Sequence, residues 1–291
     1  MEPVNRSMSW FRSNKDSHGS GADLASFGPF HLHELINSGG MADLWLATNP
    51  KGETYALRIM HDRLRFSLLA KRRFVRGCEI LSQIHNHDQV IAYYSHGKMD
   101  GRYFLQMEYV EGANLREMFN RNDPLIVEKV WNILLDMALA LEHVHDSHFM
   151  HLDFKPENIM VTRNGQVRLI DFDLALPQPP KPVKLRNYGG TPAYMAPEQL
   201  MHRPVDQRAD IFAYGVTAYE LLTRKRPFVG DTAEEVIRKQ SDSSHSFASP
   251  RQHNPDLSVG MDKVIMKCLE RQPEERYPYM SVLIRDLKAA P

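Results

Sequence analysis

Residues 151–171 read HLDFKPENIMVTRNGQVRLID, and they carry the clearest chemical pattern in the chain. Asp153, Lys155 and Asn158 stand close together, and an Asn-Gly turn then leads into a β-like run that ends at Asp171. Two carboxylates, an amide and an ammonium group on adjoining loops suit metal-assisted phosphoryl transfer. In such a site we expect Asp153 to accept a hydroxyl proton and Lys155 to neutralise the moving phosphoryl group. Asn158 and Asp171 are the expected Mg²⁺ ligands.

The composition is that of a globular chain without a charge bias. The 291 residues are 42% hydrophobic, which suffices for one large or two modest lobes. Lys plus Arg and Asp plus Glu both number 36, so we expect neither nucleic acid nor a membrane surface as a partner. Cys78 and Cys268 have no metal-like spacing and predict free thiols in a reducing, cytoplasmic setting. We expect no membrane span, because no run approaches 18 apolar residues, and no attached sensor or anchor.

Sequence periodicity divides the chain into three parts. Residues 1–27 are rich in Ser, Gly, Asn and Asp and predict a disordered tail, with a docking segment as the alternative. Residues 28–111 predict a small antiparallel sheet with one helix: β-type runs lie at 31–37, 42–48, 53–60, 90–95 and 103–109, and helical spacing at 65–85. Residues 112–291 predict a mainly helical lobe, with helices at 115–120, 124–147, 209–222, 233–240, 261–269 and 280–289. The predicted fold class is therefore α+β with two lobes.

The spacing of the four groups in residues 151–171 resembles the catalytic loop and metal-binding segment of Ser/Thr protein kinases. The order of elements over about 28–289 is similar to the bilobal protein kinase fold. Residues 190–198, GTPAYMAPE, look like the family's loop that ends in the A-P-E motif, and Arg276 falls where the family places the partner of that glutamate, here Glu198. The sequences of these motifs are most similar to those of the bacterial, eukaryotic-like (Hanks-type) kinases. The resemblance implies ATP and Mg²⁺ as cofactors, and a protein substrate or a regulatory protein as partner.

The same resemblance implies where the nucleotide binds. The glycine-rich loop of the family, G-x-G-x-x-G, reads NSGGMA at residues 37–42, so only the middle glycine is kept and we expect weakened phosphate cover. Glu108–Val110 follows Met107 and is similar to the adenine-binding hinge, and Asn114 falls at the ribose position. The implied cofactor-binding residues are Asn37, Gly39, Ala42, Leu44, Ala56, Arg58, Met107, Glu108, Val110, Asn114, Asn158 and Asp171.

Four further positions depart from the family. The strand lysine is Arg58, and counting to its partner glutamate lands on Gly77. Glu79 lies two places along, about 200° round a helix, and is expected to point elsewhere. The H-R-D arginine is Leu152, and the D-F-G glycine is Asp173. Asp173 could supply a second metal contact, pair with a basic side chain such as Arg58, or simply stiffen its loop.

Two functions remain open from the sequence. The first is a soluble Ser/Thr protein kinase that transfers the γ-phosphate of ATP to protein hydroxyls at a low rate, which the intact groups of residues 151–171 favour. The second is a pseudokinase that acts as a nucleotide-binding or scaffolding module, which Asn37, Arg58, Gly77 and Asp173 favour. A different transfer chemistry on the same fold, or a small-molecule acceptor, is the remaining alternative.

The segment 173–194 predicts that activity is not switched by phosphorylation of this loop. Leu152 removes the basic group that would receive a phosphate. Besides Tyr194, the segment offers only Tyr188 and Thr191 as hydroxyl acceptors.

Overall fold

The computed structural model describes residues 26–185, 189–242 and 244–290. The predicted tail lies outside these ranges except for its last two residues. Ser26–Phe27 form strand β1 and pair with β2, so the prediction of a disordered tail is wrong for these two residues. The reason is burial: the Phe27 side chain is fully enclosed and packs edge-on against Phe104, with 5.9 Å between the ring centroids.

The first lobe is a six-stranded antiparallel sheet with one helix. The strands follow the order β1-β2-β3-β4-β6-β5. Their bounds are Phe30–Ser38 for β2, Ala42–Thr48 for β3, Thr54–Met60 for β4, Tyr93–Met99 for β5 and Arg102–Met107 for β6. Helix α1 spans Leu68–Ile84, and its N-cap Ser67 accepts the backbone N–H of Ala70. The buried face of α1 packs towards β5 and β6 and joins the main core of the molecule.

The segment before β5 differs from the prediction. The run 90–95 has the composition of a strand, but β5 begins only at Tyr93. Val90 and Ile91 are buried and pair instead with Leu169 of the second lobe: Ile91 N donates to Leu169 O at 3.1 Å, and Leu169 N donates to Gln89 O at 2.8 Å. This bridge ties the two lobes together two residues before Asp171.

The second lobe is mainly helical. Its helices are α2 (Leu115–Asn120), α3 (Leu125–Glu128), α4 (Val130–Asp146), α5 (Pro197–Leu200), α6 (Arg208–Thr223), α7 (Ala233–Ser241), α8 (Pro250–His253), α9 (Val259–Cys268) and α10 (Met280–Lys288). The predicted helix 124–147 is interrupted at Lys129, which leaves the helical region at φ −116°. Helix α6 is buried on all sides over most of its length and forms the centre of the lobe. Within the described ranges, no helix has the length and apolar character that crossing a membrane requires.

Two small sheets support the loops between the lobes. Strands β7 (Gly112–Asn114), β9 (Ile159–Thr162) and β10 (Val167–Leu169) form one sheet, and β8 (Phe149–Met150) pairs with β11 (Leu176–Pro177) in the other. The loop 151–155 follows β8 and leads into a 3-10 turn at Pro156–Asn158, and Asp171 follows β10. The arrangement confirms the predicted α+β fold with a sheet-and-helix lobe followed by a helical one.

Candidate active site

A cavity of about 700 Å³ lies between the sheet of the first lobe and the loops of the second. Most of the predicted site residues line it: Asn37, Gly39, Ala42, Leu44, Arg58, Met107, Asn114, Asp153, Lys155, Asn158 and Asp171. Ala56, Glu108 and Val110 are not among the residues that line the cavity. Ala56 is buried in β4 opposite Met107, and the Glu108 carboxylate turns to Ala92 N at 3.2 Å and Arg168 Nε at 3.4 Å.

The loop residues form one connected cluster at the floor of this cavity. Lys155 Nζ donates to both carboxylate oxygens of Asp153, at 3.0 and 2.8 Å, and to Thr191 Oγ1 at 3.2 Å. The Asn158 side-chain nitrogen donates to the Asp153 carbonyl at 2.8 Å and to its carboxylate at 2.9 Å. Burial raises the pKa of Asp153 above its ordinary value of 3.8, and the charge of Lys155 offsets only part of this effect. The side chains of Asp153, Lys155 and Asn158, which the sequence spacing predicts to lie close together, therefore meet in the structure.

The backbone of the loop is held by Asp210, at the start of α6. Its fully buried carboxylate accepts His151 N at 2.8 Å and Leu152 N at 2.7 Å, and it also contacts His145 Nε2 at 2.9 Å. Leu152 has φ +61°, a left-handed conformation that residues with bulky side chains rarely adopt without support. Burial would raise the pKa of Asp210, but the interactions with His145 and His151 and the backbone N–H of Leu152 outweigh it and leave the pKa below its ordinary value.

Arg58 and Asp173 form a bidentate ion pair across the cavity wall. Arg58 Nη1 donates to Asp173 Oδ1 at 2.8 Å, and Nη2 donates to Oδ2 at 2.5 Å. Asp171 Oδ1 lies 3.6 Å from Arg58 Nη1 and accepts the backbone N–H of Asp173 at 3.2 Å. Burial disfavours the charge on Arg58, but the two carboxylates outweigh it and raise its pKa; Arg58 in turn overcomes burial and lowers the pKa of Asp171. Of the three alternatives for Asp173, the structure shows the pairing with Arg58.

Gly77 of α1 faces this ion pair. A Cβ atom at position 77 would come within 3.0 Å of Asp173 N, Asp173 Oδ1 and the carbonyl carbon of Phe172. Glu79 is exposed on the outer side of the helix, so the prediction that it points elsewhere is confirmed. The only contact from α1 to the polar groups of Asp173 that the described residues provide is Arg76 Nη2, which donates to the Asp173 carbonyl at 3.2 Å.

The glycine-rich loop is tied down by side chains that the sequence analysis did not identify. His61 Nε2 lies 2.8 Å from the Gly39 carbonyl, and Arg63 Nη2 donates to the Gly40 carbonyl at 3.0 Å. Asp43 lies at the centre of this group, because its carboxylate accepts the Ser38 hydroxyl at 2.6 Å and lies 3.4 Å from His61 Nδ1. The contacts join residues about 20 positions apart. No short motif predicts them.

The residues at the cavity floor fit Mg²⁺ bound together with a nucleotide. Among the described residues, no cluster of three or more His, Cys, Asp or Glu side chains could hold an ion. Mg²⁺ is commonly held by one or two carboxylates with phosphate oxygens and water. Because the Asn158 nitrogen donates to Asp153, its amide oxygen is the atom left for a cation, beside the partly exposed carboxylate of Asp171. These two protein oxygens would leave the other coordination positions of Mg²⁺ to phosphate oxygens and water.

Two predictions concern the loop that follows the site. The expected pair of Glu198 and Arg276 is confirmed: the side chains meet in a buried, bidentate ion pair with both N–O distances at 2.7 Å. Of the two candidate phosphorylation sites, Tyr188 lies outside the described residues. Thr191 is engaged by Lys155 through its hydroxyl.

Residues 30–287 match the family model described as "Protein kinase domain". Among curated relatives, a probable serine/threonine-protein kinase of Streptomyces coelicolor is 30% identical over 274 residues, which cover 90% of this chain and 40% of the relative. Serine/threonine-protein kinase PknH of Mycobacterium tuberculosis is 32% identical over 256 residues, 86% of this chain and 40% of its own length. Serine/threonine-protein kinase PrkC of Bacillus subtilis is 29% identical over 265 residues, which cover 90% of this chain and 40% of the relative. The chain thus spans about two fifths of the length of these relatives.

Proposed function

This chain belongs to the protein kinase family, and we propose that it transfers the γ-phosphate of ATP to serine or threonine hydroxyls of a protein substrate. The observation that carries the proposal is the connected cluster of Asp153, Lys155 and Asn158 at the floor of the cavity, which Asp171 also lines. The three relatives are named as serine/threonine-protein kinases, which supports the same reaction and acceptor.

Each side chain has a role that follows from its contacts. Asp153 accepts the proton of the substrate hydroxyl, and burial makes its carboxylate a stronger base than an exposed aspartate. Lys155 keeps this carboxylate oriented and presents a compact positive charge between Asp153 and Thr191, where the phosphoryl group must pass. Mg²⁺, when bound, would neutralise phosphate charge, and Asn158 and Asp171 would hold it.

Arg58 supplies the remaining positive charge, on the sheet side of the cavity. Its planar guanidinium carries five N–H donors, and its bonds to Asp173 use two of them. The other donors can bind phosphate oxygens, so an arginine at this position does not by itself abolish the charge that the site needs.

The second candidate function is a pseudokinase that holds nucleotide without turnover. The observation that favours it is the same ion pair, because the short contacts of Arg58 to Asp173 draw the guanidinium towards the loop. The loss of two of the three glycines in the loop 37–42 adds to this argument.

The cysteines and the net charge support a proposal for the cellular compartment and the class of partner. Cys78 and Cys268 are free, buried thiols, which supports a reducing compartment and thus the cytoplasm. The net charge of zero supports a protein partner, as substrate or as regulator, over nucleic acid. We propose that the lobe boundary lies between Glu111 and Gly112, where the connector that follows β6 ends and β7 begins.

The test is ATP binding and turnover on the purified full chain. We expect phosphate incorporation into a Ser/Thr peptide library, and a loss of about 10²–10⁴-fold for Asp153→Asn with ATP binding retained. Asp256→Asn, which changes an exposed aspartate, is the matched control. Nucleotide binding without turnover that depends on Asp153 would establish the pseudokinase instead, and a chain without any nucleotide binding would overturn both candidates.

A further inference from the structure

We propose that Asp173 is the positioning residue for Arg58, so that the loop that carries the metal ligand Asp171, rather than helix α1, orients the strand cation towards the phosphates. The inference rests on the proposed nucleotide site and identifies the residue that positions the guanidinium of Arg58 in it. The departures at residues 58, 77 and 173 are then one arrangement rather than three separate losses.

The charges around Arg58 give the first argument. Its side chain is only 17% exposed, and among the described residues the carboxylates within 4 Å of it are those of Asp173 and Asp171. A buried guanidinium needs a partner with good geometry. Asp173 provides two parallel N–H···O bonds, whereas the Asp171 contact is a single one at 3.6 Å. Helix α1 contributes the ring of Phe74, whose centroid lies 5.3 Å from the guanidinium carbon, but no carboxylate. Among the charged groups, Asp173 therefore sets the side-chain orientation of Arg58.

The choice of arginine over lysine follows from the same geometry. A lysine ammonium is a point charge and cannot form the fork that matches a carboxylate edge. The guanidinium binds Asp173 with one edge and retains donors for phosphate oxygens. Asp173 and Arg58 are thus matched to one another.

The space around Asp173 gives the second argument. A side chain at position 77 would press on backbone atoms of Phe172 and Asp173 at 3.0 Å, and backbone cannot yield as a flexible side chain can. Glycine inside a helix destabilises it relative to alanine, so Gly77 in the middle of α1 needs a reason. The close approach of the loop to α1 supplies that reason.

The contact between α1 and the loop completes the argument. Helix α1 reaches Asp173 through Arg76, which binds the backbone carbonyl and not the carboxylate. Glu79 is exposed. Movements of the loop 171–173 therefore change the position of Arg58 directly, while α1 contributes no counter-charge to it.

The test compares ligands with and without phosphates on the full chain. We expect Asp173→Asn to weaken binding of Mg·ADP at least tenfold, while binding of adenosine, which has no phosphate for Arg58 to contact, changes less than twofold. Glu79→Gln, on the exposed side of the same helix, is the control and leaves both affinities unchanged. A merely structural role of Asp173 would weaken both ligands equally, and that result would overturn the proposal.

A second set of variants tests whether the three positions form a unit. Gly77→Glu alone is expected to weaken Mg·ADP binding at least tenfold, and Arg58→Lys combined with Gly77→Glu and Asp173→Gly to bring it back to within about threefold of the unchanged protein. A triple variant that binds no better than Gly77→Glu would overturn the proposal.

Turnover is measured separately: a selective effect on Mg·ADP in a chain without turnover supports the role of Asp173 and overturns only the proposed kinase activity. A chain that binds neither ligand would overturn both.

Discussion

The ammonium group of Lys155 lies 3.0 and 2.8 Å from the two carboxylate oxygens of Asp153. The two side chains thus form a charge-assisted contact in which one ammonium group binds both carboxylate oxygens. Asp153 is held in place by this contact and by the Asn158 amide. The consequence is that the protonation of Asp153 depends on the charge at position 155.

The pH dependence of turnover tests this dependence. Because burial raises the pKa of Asp153, we expect kcat/KM to fall with decreasing pH through a pKa above the ordinary value of 3.8. Lys155→Met removes the nearby positive charge that lowers this pKa, so the acid limb should move to higher pH, in addition to a lower kcat. The measurement is kcat/KM against pH for both proteins, with Lys263→Met, an exposed lysine on α9, as control. An acid limb that stays at the same pH in Lys155→Met would contradict the assignment of Asp153 as the base.

The buried carboxylate of Asp210 is expected to stabilise the fold in a pH-dependent way. Its pKa is lower in the folded protein than in the unfolded chain, so its contribution is fully present above the ordinary pKa of 3.8 and is lost as the pH falls through the folded value. Asp210→Asn leaves the N–H groups of His151 and Leu152 poorly satisfied and should lower the free energy of unfolding by about 3 kcal/mol at neutral pH.

Urea unfolding at neutral and acid pH provides the measurement for Asp210. The difference between the unchanged protein and Asp210→Asn should shrink at acid pH, where the native carboxylate becomes protonated. Asp256→Asn, at an exposed position, should change stability little at any pH. A difference that stays constant with pH would show that the charge of Asp210 contributes nothing.

The buried pair of Glu198 and Arg276 should be costly to break from one side. Arg276→Met leaves the Glu198 carboxylate buried without its partner, and we expect a loss of about 3–5 kcal/mol in the free energy of unfolding. Adding Glu198→Leu should recover part of this loss, because the unpaired charge is then gone. The measurement is a double-mutant cycle, and the exposed pair of Arg163 and Glu111 serves as the control, with an expected coupling below about 1 kcal/mol. Additive losses at Glu198 and Arg276 would rule out the expected coupling.

The contacts to the glycine-rich loop should affect nucleotide affinity rather than chemistry. His61→Ala removes a hydrogen bond to the Gly39 carbonyl worth about 1 kcal/mol, so we expect the KM for ATP to rise about fivefold with kcat nearly unchanged. Arg63→Ala should act in the same way through Gly40. His33→Ala, which loses a contact to Thr48 at the other end of the sheet, is the control for steady-state kinetics. If the KM for ATP does not change in either variant, these contacts do not hold the loop for the nucleotide.

Short-range chemistry was predictable from the residues alone, while long-range pairing was predictable only where the family resemblance located both partners, as for Glu198 and Arg276. Asp153, Lys155 and Asn158 lie within six consecutive residues, so their spacing alone indicated that they meet. The partners Arg58 and Asp173 are 115 positions apart, and the sequence could offer their pairing only as one alternative among three. Asp210 and its acceptor role could not be recognised for the same reason, since its partners lie 58 and 59 positions away.

The predicted element boundaries were wrong where tertiary contacts override the local sequence pattern. Val90 and Ile91 have the composition of a strand, but their hydrogen-bonding partner Leu169 belongs to the other lobe. Phe27 ends a polar stretch that predicts disorder, yet the pocket around Phe104 orders it. Both cases depend on a surface that exists only after folding.

The bare Cα of Gly77 also constrains how this site can change during evolution. A carboxylate gained first at position 77 presses on the backbone at Asp173. An Asp173 lost first leaves the buried Arg58 with Asp171, at 3.6 Å, as its nearest carboxylate among the described residues. We expect each of these two first steps to give an impaired intermediate. We therefore expect the effects of substitutions at the three positions to be non-additive, which would disfavour a stepwise exchange of Asp173 for a counter-charge on helix α1.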